Sequence, residues 1–593
     1  MSMSKTELLK LQNGSDVRGI ACEGIENEHV TLTSEAAYLI GRAFAIWLLK
    51  KKNIKPDECI IGIGTDSRIT GPELKKQAMM GMLDEGIYVS DCGMASTPAM
   101  FMSIVYPETR YDGACMITAS HLPFNRNGLK FFDKDGGLEH DDITAILEIA
   151  AGLAEQVSSD TLTRPLPTDC NRLTEFELIS LYSANLCMKI CDGVNAENYD
   201  EPLKGLKIVV DAGNGAGGFF VNEVLNELGA DTIGSNFLDP DGMFPNHIPN
   251  PENKDAMKAI CDATVAAGAN LGLIFDTDVD RMSAVLSDGT PINRDSIIAM
   301  IAAILAPDYP GSTIITDSVT SDRLTDFLEN QLGLKHLPYM RGYKNVINKC
   351  KELNAKGIVS PLAMETSGHG CLKENYYLDD GAYLAVKLVI AVAKAKREGK
   401  TIDHFISGLS TEYADREVRF PILTEDFHSY GSRVLAEFKT RASESGFELP
   451  TAYEGVRIRF SGVCTGWMLL RASLHDPVMV LNLEGQTVRD LEIMPVSDNE
   501  LPQELQMLIS QKTSAPFKMT YSTDENLYIA VGYGPQEGGG YSICVNELYL
   551  TGNSVVIATE LKGPENGEDK GVESSSPYIV VKTELLDLPV VFQ

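Results

Sequence analysis

Met116-Ile117-Thr118-Ala119-Ser120-His121-Leu122-Pro123-Phe124-Asn125-Arg126-Asn127-Gly128-Leu129-Lys130 decides how this chain is read. The apolar run Ala114 to Ile117 predicts a buried strand. It stops at small and polar residues, so Ser120 falls just past a strand's carboxyl end, where open α/β sheets hold their ligands. Pro123, Asn125, Asn127 and Gly128 turn the chain. Lys130 then sits in a second apolar pulse, Leu129 to Phe132. The loop offers a hydroxyl, an imidazole and an amine to one place. Taken alone, the same residues also fit an ordinary turn.

A second stretch, Asp276-Thr277-Asp278-Val279-Asp280-Arg281, follows another apolar run, Leu271 to Phe275. If the segment stays extended, its carboxylates at i, i+2 and i+4 project to one side. Like charges that close repel unless a cation sits among them. An all-oxygen ligand set favours a hard ion such as Mg²⁺. A solvated acidic turn is the plainer alternative, but this triplet caps an apolar strand.

A repeated pattern sets the organisation. Ile60 to Gly64, Lys207 to Val210 and Thr313 to Thr316 each read as a strand. Each is followed by an acidic or glycine-rich turn, a helix, a glycine and a further strand. Three such βαβ starts imply three similar α/β domains. Residues 11–24 read as a loop carrying Arg18, and Gly357 to Pro361 as the strand before a polar loop, Met364 to His369. From Arg416 the pattern becomes a smaller α+β domain, and past about residue 490 it alternates as short strands. The expected domains are 1–165, 170–295, 296–405, 410–490 and a β-rich 500–593.

The 593 residues carry a net charge of −32, which argues against a nucleic-acid or anionic-membrane partner. A small phosphorylated substrate needs only a local basic pocket and stays open. The longest apolar run, Ile297 to Ala306, is too short to span a bilayer. Met1 to Lys10 has no signal-peptide core. Twelve scattered cysteines without a CxxC pair read as reduced thiols, hence a cytoplasmic location.

Four separated motifs then carry a resemblance: Thr118-Ala119-Ser120-His121 with Asn127-Gly128-Leu129-Lys130, Asp276 to Arg281, Glu365-Thr366-Ser367-Gly368-His369, and Arg471-Ala472-Ser473. Over roughly residues 10–490 the chain resembles the α-D-phosphohexomutase superfamily, in its phosphomannomutase/phosphoglucomutase branch. The resemblance implies three similar α/β domains and a smaller fourth around a central cleft. It implies interconversion of hexose 1-phosphate and hexose 6-phosphate, glucose or mannose, through a phosphoserine and a hexose 1,6-bisphosphate. Ser120 would be phosphorylated, and Asp276, Asp278 and Asp280 with a phosphoserine oxygen would hold Mg²⁺. Lys130, with Arg18 and His121 nearby, would handle the proton of the attacking hydroxyl, its pKa lowered by neighbouring cations. Glu365, Ser367 and His369 look like sugar readers, joined by Arg281 and by Gly342 and Lys344 of a matching loop. Arg471, Ser473 and His475 look like the grip on the non-reacting phosphate. The fourth domain would swing about Thr401 to Asp415.

The chain departs from that pattern in places. Leu122 stands where the family has Asn, and Leu474-His475-Asp476 replaces a glycine-led phosphate loop. A lysine often found after the third repeat's strand is absent at Ser318 and Val319. These changes touch substrate identity more than phosphotransfer. Residues 515–593 resemble the small β-domain that ends PrcB, which implies contact or assembly: a homo-oligomer or a protein partner. Two other functions compete: a phosphatase using Ser120 or Asp276, and a non-catalytic sugar-phosphate-binding or scaffold protein.

Overall fold

The strand before Ser120 forms over Gly113–Ile117, and all five of its residues are buried. It pairs in parallel with Ile60–Thr65 and antiparallel with Arg126–Asp133. Apolar runs of this kind suit strands covered on both faces. The computed structural model describes residues 3–593 apart from 157–158, 168–169, 411–412, 425, 462–464, 474–476, 487–488, 552–553 and 565–573. The chain divides into two units, Met1–Leu409 and Ser410–Gln593.

Among the described residues, the first unit holds three sheets. In the first, the central strands are flanked by Tyr88–Met94 and Leu173–Glu175 on one side and Asp16–Ile20 on the other. Arg18 thus lies in a strand paired with Gly128, where the sequence suggested a loop. Helix Ser34–Lys52, capped by Thr33 and by left-handed Asn53, covers this sheet with helix Gly71–Asp84. A Cβ on Gly41 would lie 2.3 Å from the Ala78 carbonyl, so the two helices approach this closely only over glycine.

The second sheet runs Ile208–Asp211, Leu271–Phe275, Met282–Leu286, Pro291–Ile292. Here the expected long helix and following strand do not form. One π-helical turn spans Phe220–Leu225, and Asp231 and Asn236 make only isolated bridges to Lys207 and Asp211. Glycines at 217 and 218, in the first turn of the expected helix, each cost it about 1 kcal/mol. The Ser235 hydroxyl accepts from the Val210 N–H, taking a bond that a strand's carbonyl would have made.

The third sheet places Thr313–Thr316 between Lys335–Pro338 and Leu362–Met364, all parallel, then adds Gly370–Leu372 and Leu378–Asp379 antiparallel. The strand before the Glu365 loop is therefore Leu362–Met364 and not Gly357 to Pro361. Gly357 is left-handed at φ 79° and Pro361 has no N–H to give a ladder. Helix Gly381–Arg397, N-capped by Asp380, lies against helix Leu178–Val194. One apolar core runs through these elements from Cys92 to Leu409, joining the three sheets.

The second unit begins with an antiparallel sheet, Tyr413–Pro421, Val478–Gln486, Gly466–Ala472, Val456–Phe460, with helix Phe427–Glu444 on one face. Two further four-stranded sheets follow. One contains Ser542–Leu550 and Val555–Lys562, the other Asn526–Tyr533 and Tyr578–Glu584. Leu527, Ile529, Val555, Ile557 and Val581 form a core of their own. Among the described residues, no helix is long and apolar enough to cross a membrane.

Candidate active site

Ser120 takes a left-handed backbone, φ 50°, at the end of its strand, and is 1% exposed. A non-glycine residue held there reflects constraint from its surroundings. The constraint is visible. Arg68, fully buried, donates to the carbonyls of Ser120, Leu122, Pro123 and Arg126, the last two at 2.7 and 2.9 Å. Thr118 Oγ1 accepts from the Ser120 N–H at 2.8 Å and donates to Asp66 at 2.6 Å, whose other neighbour is Arg68. Burial lifts the Asp66 carboxyl to about 6. Gly128 passes so close to Val17 and Thr118 that a Cβ would lie 2.3 and 2.8 Å from their carbonyl oxygens.

The Ser120 hydroxyl donates to Asp276 at 2.9 Å, and His121 Nδ1 lies 3.3 Å from the same hydroxyl. The acidic triplet is not extended. Residues 277–280 form a turn, with Val279 left-handed at φ 65°. The turn, not strand alternation, brings the three carboxylates together. Oxygens of Asp276, Asp278 and Asp280 lie within 4.8 Å of one another, and all three residues are buried. Thr97 fastens the turn, its hydroxyl donating to Asp278 at 2.6 Å and its N–H to the Asp278 carbonyl.

Burial and then the Asp280 and Asp278 charges push Asp276 well above the usual carboxylate range. Burial opposes ionisation of Asp280 too, but Lys130 and Arg281 hold its pKa down. Asp278 Oδ1 and Asp280 Oδ1 are buried without a hydrogen-bond partner among the described residues. Three converging carboxylates with spare oxygens and an adjacent hydroxyl fit a hard divalent cation.

Lys130 corrects an expectation. Its Nζ donates to Asp278 at 3.1 Å and Asp280 at 2.5 Å. Burial works to lower its pKa, but these carboxylates raise it well above the ordinary value. The group crowded by cations is His121, whose pKa falls well below normal because of Arg281, burial and Arg18. Arg18 is held by Asp16 at 3.0 Å and reaches the Ala119 carbonyl at 3.3 Å.

The Glu365 loop meets the acidic turn directly. Arg281 and His369 form a backbone bridge, and Arg281 Nε donates to His369 Nε2 at 2.9 Å. Burial, then Arg281 and Lys130, keep His369 neutral by lowering its pKa well below normal. Glu365 accepts from the Gly342 N–H at 2.6 Å; burial and then Asp317 lift its carboxyl to about 7. Ser367 Oγ is buried and unpartnered among the described residues. Lys344 turns elsewhere, to the Gly137 carbonyl and to Glu139 at 3.4 Å. In the second unit, Arg471 is the last residue but one of strand Gly466–Ala472, and the Ser473 N–H donates to the Val478 carbonyl at 2.8 Å. His475, with Leu474 and Asp476, lies outside the described residues.

Arg68, Asp66 and Thr97 were missed by sequence reading. Each sits in an unremarkable polar turn or helix start, and nothing in its spacing points to Ser120 or Asp278. Tyr343, whose ring stacks on His369 at 5.3 Å, was passed over between Gly342 and Lys344.

Residues 10–156, 190–289 and 293–413 match the families described as phosphoglucomutase/phosphomannomutase, alpha/beta/alpha domains I, II and III. Residues 527–584 match the family described as PrcB C-terminal. A phosphomannomutase/phosphoglucomutase of Pseudomonas aeruginosa is 30% identical over 488 residues, covering 82% of this chain and 94% of that one. A phosphoglucomutase of Neisseria gonorrhoeae is 29% identical, covering 80% and 93%. A crystal structure of a phosphoglucomutase/phosphomannomutase family protein from Burkholderia thailandensis is similar, with a TM-score of 0.64 and 25% identity, over 82% of this chain and 94% of that one. Parafusin, a phosphoglucomutase from Paramecium, shares the fold at 15% identity, with a TM-score of 0.59 over 84% and 94%. By these matches over most of its length, with the Ser120 loop and the acidic turn set together, the chain belongs to the phosphoglucomutase/phosphomannomutase family.

Proposed function

We propose that this chain, a hexose-phosphate mutase, interconverts hexose 1-phosphate and hexose 6-phosphate of glucose or mannose through a phosphoryl group carried on Ser120. The observation that carries this reading is the Ser120 hydroxyl 2.9 Å from Asp276 inside a buried trio of carboxylates. Such a trio has no use for a bare hydroxyl, but suits a phosphoryl group that arrives and leaves with a divalent cation. Mg²⁺ is the cofactor we assign to Asp276, Asp278, Asp280 and the Ser120 oxygen; bound there, it would neutralise charge on the transferring phosphoryl group.

In the first half-reaction the free sugar hydroxyl attacks phosphorus, the Ser120 Oγ–P bond breaks, and the sugar becomes a 1,6-bisphosphate. The hydroxyl's proton needs a base. His121 is neutral and lies beside Ser120, so it suits that role as the site stands. Lys130 supplies positive charge there, and would take part in proton transfer only once its hold on Asp278 and Asp280 is loosened. Arg18 keeps the far side of the Ser120 loop in place through the Ala119 carbonyl. In the second half-reaction Ser120 takes back the other phosphoryl group. Glu365, with Ser367, His369, Arg281 and the Gly342 loop beside it, is assigned to reading sugar hydroxyls; Lys344 is assigned to bracing that loop against Gly137. Arg471, Ser473 and His475 are assigned to the non-reacting phosphate on their motif alone. A cytoplasmic site of action and an assembly role for the C-terminal β-region belong to the same proposal.

The test is a mutase assay with Mg²⁺ and a trace of hexose 1,6-bisphosphate, comparing glucose 1-phosphate and mannose 1-phosphate. Turnover that is lost in Asp278→Asn and partly recovered at high Mg²⁺ supports the reading. Sugar-phosphate binding without turnover in wild type overturns it.

A further inference from the structure

His369 is gripped from three sides, and the grip fixes where its hydrogen sits. Arg281 Nε donates to His369 Nε2 at 2.9 Å. A ring nitrogen that accepts a hydrogen bond carries no hydrogen, so the ring is neutral and its hydrogen is on Nδ1. Among the described residues that Nδ1 is buried without a hydrogen-bond partner, and so is Asp379 Oδ2, 3.4 Å away. The Asp280 carboxylate is farther, at 3.7 Å. Donor and acceptor thus stand as neighbours, 3.4 Å apart and short of the alignment of a formed hydrogen bond. The Tyr343 ring, stacked on the imidazole at 26° to it, opposes rotation away from this pairing.

Asp379 is placed for the task by two elements. It closes strand Leu378–Asp379, opposite Cys371, two residues beyond His369. Just after it, the Gly381 N–H donates to the Val279 carbonyl at 3.0 Å, tying this corner to the acidic turn. A Cβ on Gly381 would lie 2.7 Å from the Arg281 carbonyl, so the corner comes this close only over glycine.

We propose that Asp379 is a positioning residue: it accepts the His369 Nδ1 hydrogen, leaving Nε2 to accept from Arg281 and hold that guanidinium beside Asp276. Arg281 Nε lies 3.9 Å from Asp276 Oδ2, the oxygen that also takes the Ser120 hydrogen. Asp379 thereby acts on the serine through three intervening groups. A ring flipped to the Nε2–H form would set two donors head to head and turn Arg281 away. The activity part of the test rests on the mutase reading; the tautomer part does not.

The experiment labels the histidines of the full chain with ¹⁵N, assigns His369 with His369→Gln, and reads its tautomer from long-range ¹H–¹⁵N correlations. Wild type and Asp379→Asn, whose amide oxygen can still accept, show the Nδ1–H pattern. Asp379→Ala shows Nε2–H or a mixture, and loses roughly 10- to 100-fold in turnover, as expected for a group that orients site residues from behind. Asp379→Asn recovers most of that loss. An Nε2–H ring in wild type overturns the proposal, as does an unchanged Nδ1–H pattern in Asp379→Ala. If Asp379→Ala does not fold, Asp379→Ser takes its place with the same expected outcomes. An inactive wild type with the Nδ1–H pattern would count against the mutase reading and leave this one standing.

Discussion

Arg68 is the residue on which the Ser120 loop depends. It spends its donors on four backbone carbonyls and its charge on Asp66. Arg68→Met leaves those carbonyls and a buried carboxylate unpaired, which costs about 3–5 kcal/mol. Urea unfolding should register that loss, and an unchanged midpoint would refute the role. Glu365 makes a second case, through pH. Its carboxyl titrates near 7 in the fold against 4.5 when free. The folded state therefore holds a proton that the unfolded chain has lost across that window, so this group's contribution to stability falls as pH rises from about 4.5 to 7. Glu365→Gln should flatten the decline in unfolding free energy over that range, by up to roughly 3 kcal/mol. An equally steep decline in the variant would assign it to other groups. Ser120, His121 and the carboxylates were legible because polar residues interrupt apolar runs at strand ends. Arg68 was not, because its partners are carbonyls, which every residue has.

The acidic turn shows what an element adds to its residues. Strand alternation would place Asp276, Asp278 and Asp280 along one side, with alternate residues about 7 Å apart. The turn at Val279 brings their oxygens within 4.8 Å instead. A β-branched residue at φ 65° costs about 1–2 kcal/mol of backbone strain. Burying the Val279 side chain completely returns about 1.5–3 kcal/mol. Glycine there would also add backbone entropy to the unfolded chain, about 0.5–1 kcal/mol. Burial and entropy outweigh the strain, so Val279→Gly should lose about 1–2 kcal/mol in urea unfolding; a gain in stability would mean that the strain outweighs both. That the triplet would gather around a cation was readable from its i, i+2, i+4 spacing, but the turn that makes it converge was not, since valine is a residue that favours strands. The second repeat failed for a related reason. Its βαβ punctuation is intact, yet Gly217, Gly218 and the Ser235 hydroxyl leave a helical turn and two bridges in place of a helix and a strand.

Across the whole molecule, the three βα starts were legible because each begins with a buried apolar strand and a polar turn. Their fusion into one core from Cys92 to Leu409 was not, because contacts between distant segments leave no local period. The C-terminal β-region has its own core, apart from the one formed by Ile422, Leu470 and Met479. A chain ending at Gln486 should therefore keep mutase turnover and lose one unfolding transition in calorimetry. Loss of all turnover with the first unit still folded would tie the β-region to catalysis. The mutase reading rests on Ser120 carrying the transferable phosphoryl group. Its most direct measurement is the mass of the intact protein, followed by peptide mapping, after incubation with hexose 1,6-bisphosphate and Mg²⁺. One added phosphoryl group is expected on Ser120 in wild type, and neither phosphorylation nor turnover in Ser120→Ala. Turnover that persists in Ser120→Ala, or a phosphoryl group mapped to another residue, would contradict it.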